Sequence, residues 1–227
     1  MARTAEGTRG SNKLLYAAMV VLAVAAMFKL GHASAASGPP QPAAPVLGKL
    51  LPITRPTAHT LTLPYSVPTH IDMPAVNVHA DVITVGVNPD DTIGTPSLSD
   101  AKVAAWYNGS PTPGQMGSSI IDAHVDSSKM SDYRGAFFYL GLAKPGMEID
   151  VTRSDHSVAV FTVDEVQDAL KSAFPTDQVY AATPYPGLRL ITCGGDFDQK
   201  THEYLGNTIV YAHMTAQHTP TAPRNFR

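Results

Sequence analysis

From Val67 onward, apolar residues come in short runs or at every second position, and Gly, Pro, Asn or Asp breaks each run before a helical period is established. Strands are expected at His70 to Met73, Val76 to Val78, Val82 to Val87, Ser119 to His124, Glu148 to Arg153, Val158 to Val166, Leu188 to Cys193 and Thr208 to Met214. Helical signal is confined to a short helix opening at Thr176, whose hydroxyl is placed to cap the turn Asp177 to Tyr180, and another over Ala136 to Leu142. About eight strands without a long helix for parallel crossovers specify an all-β domain, either an antiparallel sandwich or a closed barrel.

The chain ahead of this domain is organised differently. Residues 1–13 form a basic N-terminus, with Arg3, Arg9 and Lys13 against Glu6. Residues 14–32 follow as an apolar segment in which only Lys29 is charged, a pattern of membrane insertion with the basic flank left in the cytoplasm. The segment is either a retained anchor or, with Ala33-Ser34-Ala35 as a small-residue cleavage site, a removed signal; both readings put the rest outside the cytoplasm. Residues 33–66 read as a Pro/Ala-rich extracytoplasmic linker, since nine of the 19 prolines lie between Pro39 and Pro74. The compact domain is expected over 67–215, and 216–227 as a flexible C-terminal tail. A net charge of −3 offers no basic excess for phosphate neutralisation, so nucleic acid is excluded as a partner.

The single cysteine, Cys193, rules out an internal disulfide framework and a Cys-based zinc cluster. It closes a strand and is followed by Gly194-Gly195, where a strand end opens into a loop with room for a substrate backbone. A lone cysteine is commonly a small buried hydrophobe, but an unpaired thiol in an exported chain is an oxidation liability, which favours a chemical role. His124 ends another apolar strand inside the domain and is the imidazole best placed to exchange a proton with that thiol. His70, His79 and His213 border strands with no partner apparent in the sequence. Asp126, two residues after His124, is a candidate to orient its ring. No metal-ligating constellation, phosphate loop or cofactor motif is present, so neither a metal nor a cofactor is expected.

Several segments resemble the sortase family. Ile120-Ile121-Asp122-Ala123-His124-Val125-Asp126, with Gly135 to Leu140 and Lys144 to Ile149 behind it, is similar to the histidine half of a sortase, and Leu190-Ile191-Thr192-Cys193-Gly194-Gly195 resembles the Leu-x-Thr-Cys signature. The continuation through Phe197-Asp198, Tyr204, Asn207 and Thr208 to Ala212 resembles the actinobacterial-type sortases called class F. The resemblance spans about Val67 to Met214. It implies an eight-stranded closed β-barrel with short helices, acting as a cysteine transpeptidase on a Leu-Pro-x-Thr-Gly-like sorting signal. By that resemblance Cys193 forms a thioacyl intermediate between Thr and Gly, and His124 protonates the departing amine. The implied partners are surface proteins bearing a C-terminal sorting signal and an amine acceptor from a cell-wall precursor or a pilin. The implied location is the cell membrane, single-pass with an extracytoplasmic catalytic domain, or secreted if the signal is cleaved.

The pattern breaks at one residue. Sortases carry an arginine after the cysteine near the last strand, yet no arginine lies between Gly194 and Tyr211. Asn207, at the strand entry, and Lys200, earlier in the loop, are the candidates for oxyanion or substrate support, the first by an amide donor and the second by charge without Arg's fork. Arg189 shares the strand face of Cys193 but lies about 13 Å away along it, and reads as structural. Asp122, an extra carboxylate before His124, raises the imidazole's pKa if it points inward. Residues Gln167 to Gly187, with Phe174-Pro175 and Tyr180, are expected to wall the peptide cleft. Two rivals bear on function. An L,D-transpeptidase would show Cys-x-Arg, and Cys193-Gly194-Gly195 does not. A catalytically impaired sortase-like peptide-binding or structural module would account for the missing arginine.

Overall fold

The computed structural model describes residues 61–218. The expected N-terminal segments at 1–13 and 14–32 lie outside the described residues, as does most of 33–66. Among the described residues no helix is long and apolar enough to cross a membrane.

Eight strands form one closed barrel: β1 (Pro68–Met73), β2 (Val78–Val85), β3 (Ala104–Tyr107), β4 (Gly117–Ala123), β5 (Glu148–Arg153), β6 (Val158–Leu170), β7 (Pro186–Asp198) and β8 (Glu203–His218). Around the ring the order is β1-β2-β3-β4-β7-β8-β6-β5, closed by β5 against β1. Alternation along the strands fills the interior with Ile71, Val78, Trp106, Ile121, Leu188, Leu190 and Val210, and Phe137 and Phe161 complete it. Each fully buried large apolar side chain contributes roughly 1.5–3 kcal/mol by leaving water.

The ring is not wholly antiparallel. β2 runs parallel to β3, and β4 runs parallel to β7. Six of the eight expected strands coincide with observed ones. The expected pair Val76–Val78 and Val82–Val87 is instead a 3-10 turn, Pro74–Val76, followed by the continuous β2. Proline at the head of that turn and Asn77 in the left-handed region, with φ 54°, end β1 and start β2 at Val78. The remaining strand is β3, which the sequence reading leaves as loop. Its Ala104-Ala105 half carries little strand propensity, and only burial between β2 and β4 makes it a strand. β6 and β8 also run past their expected ends. Asp164, Glu165, Gln167 and Asp168 break the apolar pattern, yet β6 pairs with β8 through to Leu170 opposite Gly206. At the other end β8 reaches His218, opposite Val158, which brings residues 216–218 of the expected tail into the sheet.

The expected helix over Ala136 to Leu142 is only a 3-10 turn at Leu140–Leu142. The helix at Thr176 is present as α1 (Thr176–Tyr180), but Pro175 is its N-cap and the Thr176 hydroxyl donates to the Phe174 carbonyl at 3.4 Å. The packed body begins before Val67. Leu63 is buried with its amide bonded to the Gly114 carbonyl at 2.8 Å, Ser66 is buried, and the Arg153 guanidinium donates to the Pro64 carbonyl. The three strand-border histidines have carboxylate partners: His70 with Asp81 at 2.9 Å, and His79 with Asp72 and His213 with Asp164, each at 2.6 Å.

Candidate active site

The β4–β7 pair is what assembles the site. In a parallel pair the two C-terminal ends lie side by side, whereas an antiparallel pair would put them at opposite ends of the barrel. Register runs from Gly117 opposite Pro186 to Asp122 opposite Ile191, and two residues further along come His124 and Cys193. The Thr192 hydroxyl, buried between the strands, ties this end together by donating to the Ala123 carbonyl at 2.8 Å.

Alternation decides the face. Ile121, Ala123 and Leu190 point into the central core, so Asp122, His124, Ile191 and Cys193 point to the outer face. There Ile120, Ile191, Ile209 and Tyr211 form an apolar floor closed by Val179 of α1, with Phe174 and Tyr107 packed at its edge. Val179 and Phe174 both come from the segment expected to wall a cleft, and the structure sets that segment against the floor.

His124 is held from behind. Its Nε2 lies 2.6 Å from the Pro96 carbonyl oxygen. A carbonyl only accepts, so Nε2 carries the hydrogen and Nδ1 is the basic atom of the neutral ring. Asp126 is engaged elsewhere: the Tyr204 hydroxyl donates to it at 2.6 Å, and residue 126 bridges to Arg134. The ring-orienting contact expected of Asp126 is therefore made by Pro96, and Asp126 ties the loop after β4 to β8 instead. Burial, and after it that bond, push the Tyr204 hydroxyl up in pKa. Gly135 allows the same loop to fold back on His124, with Phe137 N–H donating to the His124 carbonyl at 3.1 Å. A Cβ on Gly135 would stand 2.0 Å from that oxygen.

Cys193 is half-buried. Burial pushes its thiol up, and the fields of Asp126, Asp122 and Glu203 add to the rise. Among the groups acting on it, only Lys171 pulls the other way. Lys171 follows the end of β6, with Nζ 3.9 Å from Glu203 Oε2. The sequence reading missed it, although it is the one cation between Gln167 and Gly187.

Of the two candidates for the absent arginine, one stands at the site. Asn207 sits on β8 directly opposite Cys193, and its Nδ2 donates to the Thr192 carbonyl at 3.3 Å. Lys200 does not join it. It occupies the β7–β8 turn beyond the Asp198–Glu203 pair, exposed, with its backbone N–H bonded to Asp198 at 2.7 Å. Five strand residues separate Asp198 from Cys193, about 16 Å of backbone that a lysine side chain does not span. Arg189 is structural as expected: 5% exposed, with its guanidinium 4.7 Å above the Tyr211 ring. Asp122 points outward, away from the central core, and burial on the floor pushes its carboxyl up to about 7.

The arrangement sets a thiol and an imidazole of fixed tautomer at adjacent strand ends beside a buried apolar cluster. A family model described as Sortase domain matches residues 71–215. The chain belongs to the sortase family. Solved structures agree on the fold: a sortase from Actinomyces oris is 17% identical with a TM-score of 0.50, covering 71% of this chain and 87% of that one. Sortase A from Listeria monocytogenes is 20% identical with a TM-score of 0.51, covering 70% of this sortase and 93% of its own chain. A lid mutant of sortase A from Corynebacterium diphtheriae is also 20% identical with a TM-score of 0.51, over 69% of this chain and 74% of that one. Comparison with curated proteins gave no match. Family membership supports a sortase-type transpeptidase.

Proposed function

We propose that this sortase cleaves a Leu-Pro-x-Thr-Gly-like sorting signal and transfers the upstream protein to an amine on the cell surface. Cys193 Sγ, as thiolate, attacks the threonine carbonyl; the Thr–Gly C–N bond breaks, and His124 gives its proton to the departing amine. The thioacyl enzyme is then opened by a second amine, whose proton passes to His124 as the thiolate leaves. Asn207 supports the developing oxyanion through its amide. The acceptor is a cell-wall precursor or pilin amine, and residues 14–32 hold the enzyme in the membrane with the barrel outside. The actinobacterial-type assignment belongs to the same reading and rests on the sequence from Phe197 to Ala212.

The observation carrying this reading is the parallel β4–β7 register, which brings His124 and Cys193 to adjacent strand ends on one face. The test is labelling of the full chain by a neutral methanethiosulfonate near pH 7, compared with Cys193→Ala and His124→Ala, followed by transpeptidation of sorting peptides with diglycine as acceptor. Fast labelling that slows at least tenfold without His124, together with release of the C-terminal peptide fragment, is the expected result. Slow labelling in every form and no fragment from any peptide would overturn it in favour of the catalytically impaired module.

A further inference from the structure

On this outward face Arg189 is buried over the Tyr211 ring, whereas Asp122 is partly exposed beside the apolar cluster. Asp122 lies across β4 from Ala105 of β3 on one side and Ile191 of β7 on the other, on the same outward face as His124. Its field reaches the Tyr180 hydroxyl of α1 and the Cys193 thiol. It is partly exposed, and no other residue donates a hydrogen bond to it among the described residues. A carboxyl held in an apolar setting without a donor is costly unless a partner arrives from outside.

Position suggests which partner. Asp122 is level with Ile191, two strand residues or about 6.6 Å short of Cys193, which is two residues of an extended peptide. In the other direction from Cys193, β7 passes into Gly194-Gly195 and leaves the apolar floor. The part of a donor peptide that stays on the enzyme as thioacyl is the part that needs that floor. We propose that Asp122 is a specificity residue of the donor groove, selecting a peptide with a hydrogen-bond-donating side chain, amide or ammonium, within three residues N-terminal to the scissile carbonyl. This rests on the reading of the protein as a transpeptidase with Cys193 as nucleophile. It sets a polar requirement beside the buried apolar cluster of Ile120, Val179 and Ile191.

The test uses the full chain and donor peptides in which each of the three residues before the threonine is Leu, Gln or Lys in turn. Cleavage is measured with wild type, Asp122→Asn and Asp122→Leu, and binding by fluorescence anisotropy to Cys193→Ala with and without Asp122→Leu. At one position wild type is expected to favour Gln or Lys over Leu by about tenfold or more, the worth of a hydrogen bond to a buried charged group. The difference should appear in KM more than in kcat, and Asp122→Leu should turn the preference toward Leu. The Gln and Lys arms separate a neutral donor from a cation, and the isosteric Asn variant serves should the Leu variant fold poorly. The same ranking with and without Asp122 in both assays, an effect confined to the KM of the acceptor amine, or no discrimination in either assay would overturn the proposal. Binding that depends on Asp122 without cleavage would remove the transpeptidase reading and leave Asp122 as a selecting residue of a peptide-binding module. Cleavage with an unmoved ranking would do the reverse.

Discussion

Gly135→Ala tests whether the loop after β4 holds His124 in place. A Cβ at residue 135 would stand 2.0 Å from the His124 carbonyl oxygen, 2.5 Å from its carbonyl carbon and 2.9 Å from that of Val125. All three are backbone atoms, so no side-chain rotation relieves the clash. Restoring an ordinary contact of about 3.4 Å requires the loop or the end of β4 to move by about 1.4 Å. Overpacking of this kind costs about 1–3 kcal/mol, a fall of roughly 2–12 °C in Tm for a domain of this size. The displaced residue carries the imidazole, and misplacement of about 1 Å typically lowers catalysis about 100-fold. The assay pairs Tm with the rate of Cys193 labelling by a neutral methanethiosulfonate. Gly146→Ala is the control. Its φ of 88° makes the substitution strained, but no atom lies within 4 Å of its Cβ, and it lies in the turn before β5. It should lower Tm without slowing the labelling. Unchanged Tm and labelling in Gly135→Ala, or equal slowing in both variants, would refute the reasoning.

The other predictions concern charge. Burial raises the Cys193 thiol and Lys171 alone among the groups acting on it opposes that rise, so Lys171→Ala should move the labelling pH profile upward and slow the reaction near pH 7 several-fold. Lys171→Arg should restore it, and an unshifted profile in Lys171→Ala would count against a role for this cation. Asp122 titrates at about 7 in the folded chain against 3.8 for the free side chain, so its ionisation opposes folding as pH rises through this window. Tyr180 of α1 and Cys193 of β7 share its field, and neither supplies positive charge. Asp122→Asn should therefore match wild type near pH 3.5, gain stability between pH 4 and 7, and remain about 2–3 kcal/mol more stable above it, after discounting for partial exposure. Denaturant unfolding at pH 3.5, 6 and 8.5 checks this, and a constant difference across the three would sink it.

Most strands were legible because each buries one face, and alternation records which. What the pattern did not carry was set by neighbours. Ala104-Ala105 becomes strand only because β2 and β4 cover it, and the ends of β6 and β8 pair with each other beyond the apolar runs that mark their centres. The placement of Cys193 and His124 at neighbouring strand ends was legible from the apolar runs and local glycines. The groups around them were not, since each arrives from a distant segment: the Pro96 carbonyl lies 28 residues before His124, and Tyr204 lies 78 residues after the Asp126 it engages. Lys200 was sought near Cys193 in the sequence, but an antiparallel hairpin carries each further residue away from the point where its strands pair. Lys171, closer in effect, enters from β6 through pairing that apolar periodicity does not report.

The tie between Thr192 and Ala123 spans 69 residues of chain. Until the ring closes, sulfur and imidazole belong to separate stretches of an unfolded polymer. Loop closure over such a distance is slow compared with hairpin formation. The juxtaposition of the two side chains therefore arrives only with the completed shell, and a newly made molecule carries an ordinary solvated thiol for as long as it remains unfolded.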